Sequence, residues 1–240
     1  MDKQIIINDY ATRSFRDLAD QDYIAARISH RYELDQLFLW NSLQAMEKYF
    51  KAILLFNRKS SKGIRHNLKK AFEKTLSIKD ISFDFPNDVV KYIEYIDDYG
   101  VSRYLDYPTV IQDRSLFRLD RSIWHIRRYC YYIRAYKIED ELKMIHNDKY
   151  KKYPNKYWIP GGFLEGIIEK SGPLASFLIW KNFYYGKRKK RKVRNVRLRV
   201  SAANPTHFLY PEVINELDKL VDFPRALRNH FRSIGKLTTG

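Results

Sequence analysis

Residues Leu34 to Asn57, LDQLFLWNSLQAMEKYFKAILLFN, contain neither glycine nor proline and place apolar side chains on more than one face of a helix. Leu39, Leu43, Met46, Phe50 and Ile53 recur at steps of four and three, and Leu37, Trp40, Leu54 and Leu55 widen the apolar arc beyond a surface helix's stripe. Such a helix has to be covered on several sides, so this stretch is expected at the centre of a helical bundle. Its polar remainder, Gln44, Glu47, Lys48 and Lys51, forms a narrow strip. The Glu47–Lys51 pair in it has i,i+4 spacing and reads as a surface solubility feature.

The flanking sequence supplies the covering helices. Ser14 with Asp17 has the form of a capping box and predicts a first helix running to about Tyr32. A loop over Asn57–Gly63 leads to a third helix from about His66 to Thr75, with His66 capping or packing, and Pro86-Asn87-Asp88 opens a fourth that Gly100 ends. The fifth, about Ile111 to Ile138, has the most regular periodicity: Leu116, Leu119, Ile123, Ile126, Cys130 and Ile133 at alternating steps of three and four. That series predicts a packed seam, within the chain or between subunits. Beside it Arg114, Arg118, Arg121, His125 and Arg128 form a basic edge, unless acidic neighbours on another helix balance it.

Three segments carry a resemblance. Trp40-Asn-Ser-Leu-Gln-Ala-Met-Glu-Lys-Tyr-Phe-Lys-Ala-Ile-Leu-Leu, His66-Asn-Leu and Tyr99-Gly-Val-Ser-Arg-Tyr-Leu-Asp-Tyr-Pro resemble, in this order, the second helix, the opening of the third helix and the segment before the last helix of HEPN domains. The resemblance covers about residues 14 to 136. It implies an antiparallel helical bundle of about five helices, a homodimer, and RNA as target. It further implies bacterial anti-phage defence or toxin–antitoxin character, with an antitoxin or defence-system protein as partner.

The formal net charge of +17 is unevenly placed: residues 1–150 hold 26 basic and 22 acidic side chains, residues 151–240 hold 19 and 6. A basic C-terminal part points to a polyanion, with nucleic acid first and RNA ahead of DNA; a membrane surface and an acidic protein are the other readings of the same charge. The single cysteine, Cys130, rules out an internal disulfide and fits a reducing cytoplasm. No signal-peptide pattern opens the chain, and no apolar run reaches the ~20 residues of a membrane span, so a cytoplasmic protein is expected.

Composition divides the chain into a helical domain over 1–146, a linker over 147–162 rich in Lys, Tyr, Pro and Gly, and a small basic α+β extension over 163–240. In the extension, Phe163 to Glu169 predicts a short helix, and Leu174 to Tyr185 is apolar and aromatic without deciding between helix and strand. Lys187, Arg188, Lys189, Lys190, Arg191 and Lys192 then form an unbroken basic run, and Arg194, Arg197 and Arg199 continue it into an alternating strand. The run suits counterion release from phosphates, with Tyr184 and Tyr185 placed to stack on bases. A nuclear-import signal and a solvated loop share this pattern.

The fold class is therefore mainly α, a HEPN-like bundle with a basic α+β tail. The histidines are isolated from one another and Cys130 has no partner at ligand spacing, so no metal site and no cofactor is expected. What remains is arginine with histidine, which the resemblance implies as an Arg followed by a His after four to six intervening residues. Histidine can take the proton of a ribose 2′-hydroxyl while arginine holds the phosphate. Arg118 and His125 stand about 20° apart on a helix and can face one phosphate; Arg225 and His230 stand about 140° apart and cannot on a straight helix. Arg118 and His125 are thus the candidate catalytic pair of a metal-independent endoribonuclease, Arg225 and His230 the lesser one. The alternative is a non-catalytic module binding nucleic acid, a nucleotide or an acidic protein.

Overall fold

The structure is a computed structural model that describes residues 3–79, 81–100, 109–111, 114–130, 159, 162–186 and 201–203. Its elements are α1 (Lys3–Ala11), a π-helical turn (Thr12–Arg16), α2 (Asp17–Arg31), α3 (Asp35–Phe56), α4 (Leu68–Leu76), α5 (Asn87–Gly100), β1 (Thr109–Ile111), α6 (Ser115–Arg127), α7 (Phe163–Lys170), α8 (Pro173–Ile179) and β2 (Ser201–Ala203). No helix among the described residues is long and apolar enough to cross a membrane.

Helix α3 is the hub, as its broad apolar arc requires: α1, α2, α4, α5 and α6 all pack on it. Phe38, Leu39, Leu43, Met46, Tyr49, Phe50, Ile53 and Leu54 are buried along its length. Leu37 departs from that arc and is exposed. Helix α5 comes close to α3 because Gly100 carries no side chain; a Cβ there would stand 2.8 Å from the Leu43 Cβ. Phe50, Phe72, Phe85, Phe83 and Tyr129 then form a chain of aromatic contacts at centroid spacings of 4.8 to 5.8 Å, closing the α3–α4–α6 side.

Three local readings change. Ser14 is not an N-cap, because α1 already begins at Lys3 and continues through the π-helical turn into α2. The cap of α4 is Asn67, whose side chain accepts from the Lys70 N–H at 2.6 Å, while Asp97 of α5 accepts from the Leu68 and Lys69 N–H groups. The fifth helix starts at Ser115 rather than Ile111: Thr109–Ile111 pairs antiparallel with Ser201–Ala203, and Arg114 at φ 57° turns the chain into the helix.

The segment of uncertain type resolves into α8 followed by a non-helical turn through Gly186. Both α7 and α8 pack on α2. The bundle core thus receives side chains from residues 162–186 as well.

Candidate nucleic-acid interface and acid–base residues

Helix α6 presents two different edges. Leu116, Leu119, Ile123, Ile126 and Cys130 are buried in the core, so this part of the seam is satisfied within the chain; Ile133 lies outside the described residues. On the basic edge, Arg114 and Arg118 are exposed. Arg121 is paired with Asp88 at 2.7 Å, and Arg128 is 2% exposed, donating to the Asp84 carbonyl and, at 2.9 Å, to the Tyr129 hydroxyl. The expected basic line is therefore answered by acidic residues at and before the start of α5 along half its length.

His125 lies half-buried between Arg121 and Arg128. Burial first, then the charges of Arg128 and Arg121, lower its pKa to about 4, against the opposing pull of Asp84 and a hydrogen bond to the Asp84 backbone. Its Nδ1 is buried without a hydrogen-bond partner among the described residues. The imidazole is neutral at physiological pH and able to accept a proton, though it is a weak base. Arg118 and His125 share one helix and one edge, but the first is exposed and the second is half-buried.

Arg225 and His230, and the run Lys187 to Lys192 with Arg194, Arg197 and Arg199, lie outside the described residues.

The structure adds a buried charged lattice that sequence reasoning missed. Arg127 of α6 bonds both oxygens of Asp20 on α2, at 2.7 and 2.9 Å, and both oxygens of Glu165 on α7, at 2.7 and 2.8 Å. Arg27 of α2 bonds Asp120 of α6, which also accepts from Tyr23 at 2.7 Å. Tyr49 of α3 donates to Asp20, and Asn182 donates to the Tyr23 hydroxyl at 2.9 Å. Burial pulls Arg127 down, but the two carboxylates outweigh it and hold the guanidinium well above its ordinary range. Burial would raise Glu165 as well, yet Arg127 and the Ile159 N–H hold its carboxyl low. Asp20 and Asp120 go the other way, pushed up by burial despite their arginines; Oδ2 of Asp120 has no hydrogen-bond partner among the described residues.

The Glu47–Lys51 pair, expected at the surface, also proves different. Glu47 is 2% exposed and holds Lys51 on one oxygen and His66 Nδ1, at 3.2 Å, on the other, with the Trp40 ring 5.6 Å from the imidazole. His66 therefore packs rather than caps.

Five helices gathered around an apolar central one, with arginine and histidine on the helix that follows the β1 strand, define a helical bundle. Residues 12–120 match the family model described as HEPN domain, and this part of the chain is a HEPN domain. Comparison with curated proteins and with solved structures gave no match.

Proposed function

We propose that this is an RNA-targeting HEPN protein that engages RNA through the exposed start of α6 and the basic run beyond Gly186, and cleaves it without a metal by means of Arg118 and His125. The observation that carries the reading is the placement of an exposed arginine and a neutral imidazole two turns apart on one edge of α6. A neutral imidazole can accept the 2′-hydroxyl proton, and Arg118 can hold the phosphate as charge builds on it. A role in bacterial defence or as part of a toxin–antitoxin pair, a cytoplasmic location, a protein partner and a homodimer belong to the same proposal. With the described part of the α6 seam spent inside the chain, Ile5, Ile6 and Tyr10 on α1, each about half exposed, are among the apolar side chains open to a second copy.

The second reading, a non-catalytic binding module, is favoured by one observation: His125 is enclosed by Arg121, Arg128 and Asp84. Cleavage of a single-stranded RNA in EDTA separates the two. Cyclic 2′,3′-phosphate ends that disappear with His125→Ala, while binding survives, support the catalytic reading. Binding without cleavage supports the module, and no binding of RNA at low salt removes both.

A further inference from the structure

The end of α2, helix α8 and the turn after it build a surface cluster of two aromatic rings and two cations. Arg31, the last residue of α2, lies 5.1 Å over the Phe177 ring and 5.2 Å over the Trp180 ring, and the Lys181 ammonium lies 4.7 Å from the Trp180 centroid. Tyr32, 61% exposed, stands 6.5 Å from Phe177. Contacts of this kind occur about once per 70–80 residues in proteins, and here three fall on two rings within five positions of the chain. Cations and partly buried rings in such density have a use beyond covering apolar surface.

The cluster is also held from beneath. Arg27, buried and paired with Asp120, donates to the backbone carbonyls of both Phe177 and Trp180. Those bonds fix the carbonyls from which the two rings are displayed, and Asn182, bonded to Tyr23 and to the Leu178 carbonyl, fixes the turn that follows. Lys181 sits in the left-handed region at φ 51°, beside Trp180. Six residues further on begins the run Lys187 to Lys192.

From this geometry we infer that Tyr32, Phe177 and Trp180, flanked by Arg31 and Lys181, form a base-stacking platform for single-stranded RNA. The inference rests on the RNA-targeting reading and names where the bases lie. Aromatic faces accept any base, because every base has a π-face, and the adjacent cations neutralise the phosphates that join them. Arg31 stacks with the base that enters over the rings, while the exposed Lys181 leaves the Trp180 face to a base and swings to the neighbouring phosphate. Duplex RNA, whose bases are already stacked on one another, gains nothing from the platform.

The test titrates the full-length protein with a dodecamer of uridine and with a duplex RNA of the same length, reading anisotropy of labelled RNA and tryptophan fluorescence. Uridine dodecamer should quench the emission of Trp180 and should bind Trp180→Leu and Tyr32→Ala roughly 5-fold or more weakly, the lower end of one stacked base. Duplex binding should be unchanged, and Trp180→Phe, which keeps a ring, should bind the dodecamer like the parent. Tyr32 is too exposed for its replacement to disturb folding. Equal loss for duplex and single strand, or variants that bind the dodecamer as well as the parent does, would overturn the platform and leave RNA targeting standing. No binding of either RNA would sink both.

Discussion

Asp20 and Arg127 stand 107 positions apart in the chain and are joined by two hydrogen bonds in the core, Nε to Oδ1 at 2.7 Å and Nη2 to Oδ2 at 2.9 Å. The same guanidinium grips Glu165, so one arginine ties α2, α6 and α7 together. Arg27 and Asp120 repeat the α2–α6 bond in the opposite sense. The crosswise pattern fixes α2 and α6 as antiparallel and sets their register.

Arg127→Met should cost about 3–5 kcal/mol, because it leaves two carboxylates buried without their cation. Urea unfolding followed by far-ultraviolet circular dichroism measures it. A loss under 1 kcal/mol would mean that the core rearranges to hydrate Asp20.

Glu165 anchors α7, and Gly162 leaves room for it: a Cβ at Gly162 would stand 2.1 Å from the carboxylate. Gly162→Ala and Glu165→Gln should therefore both loosen residues 162–186, and limited trypsin digestion should cut at Lys170 and Lys181 well before the bundle is attacked. Cleavage at the parental rate in both variants would contradict this anchoring.

His125 is the group to follow with pH. Its folded pKa of about 4 lies below the ordinary 6.5, so the native state binds fewer protons than the unfolded chain between those values. Stability should accordingly fall as pH drops from about 6.5 towards 4, and His125→Gln should remove that part of the slope. If His125 is the catalytic base, cleavage should rise through about pH 4 and be flat by pH 6. An imidazole resonance titrating near 6.5 would refute the enclosed environment.

Cys130 is fully buried, and burial pushes its thiol well up. A thiol reagent should leave the native protein unlabelled and should react once per chain in denaturant. Rapid labelling of the native protein would mean that the end of α6 opens.

Gly100→Ala drives a Cβ against Leu43 at the α3–α5 crossing. Overpacking of that kind costs roughly 1–3 kcal/mol. Thermal unfolding of the variant checks it, and an unchanged midpoint would show that α5 can shift away.

The bundle was legible because α3 has no competing explanation: Leu39, Leu43, Met46, Phe50 and Ile53 leave a helix no choice but to be surrounded. The seam of α6 was equally plain, though periodicity states only that an edge is buried, and Leu119 or Ile123 gives no sign of whether the partner is the same chain. The basic edge left two readings open for the complementary reason. Asp84 and Asp88, the residues that answer Arg128 and Arg121, lie before and at the start of α5, and these contacts leave no period in the sequence. The buried lattice did leave one. Asp20 and Arg27 are two turns apart on α2, and Asp120 and Arg127 two turns apart on α6, each pair flanking apolar positions. Opposite charges at matching spacing on two apolar stripes are the trace of antiparallel, crosswise ion pairs. The spacing of seven that puts Arg118 and His125 on one edge is the same number; what it means depends on the neighbours.

The lattice also orders events during synthesis. Asp20 leaves the ribosome more than a hundred residues ahead of Arg127, and Arg127 precedes the carboxylate that completes its coordination, Glu165. Domains tend to fold as they emerge, N-terminal part first. Here α1 to α5 can collapse on α3 early, but the nascent bundle holds an uncompensated charge at Asp20 until α6 arrives, and α6 waits on α7. A release or stall of translation between residues 120 and 165 would therefore yield a compact chain with an open, charged seam, the kind of species that quality-control proteases recognise.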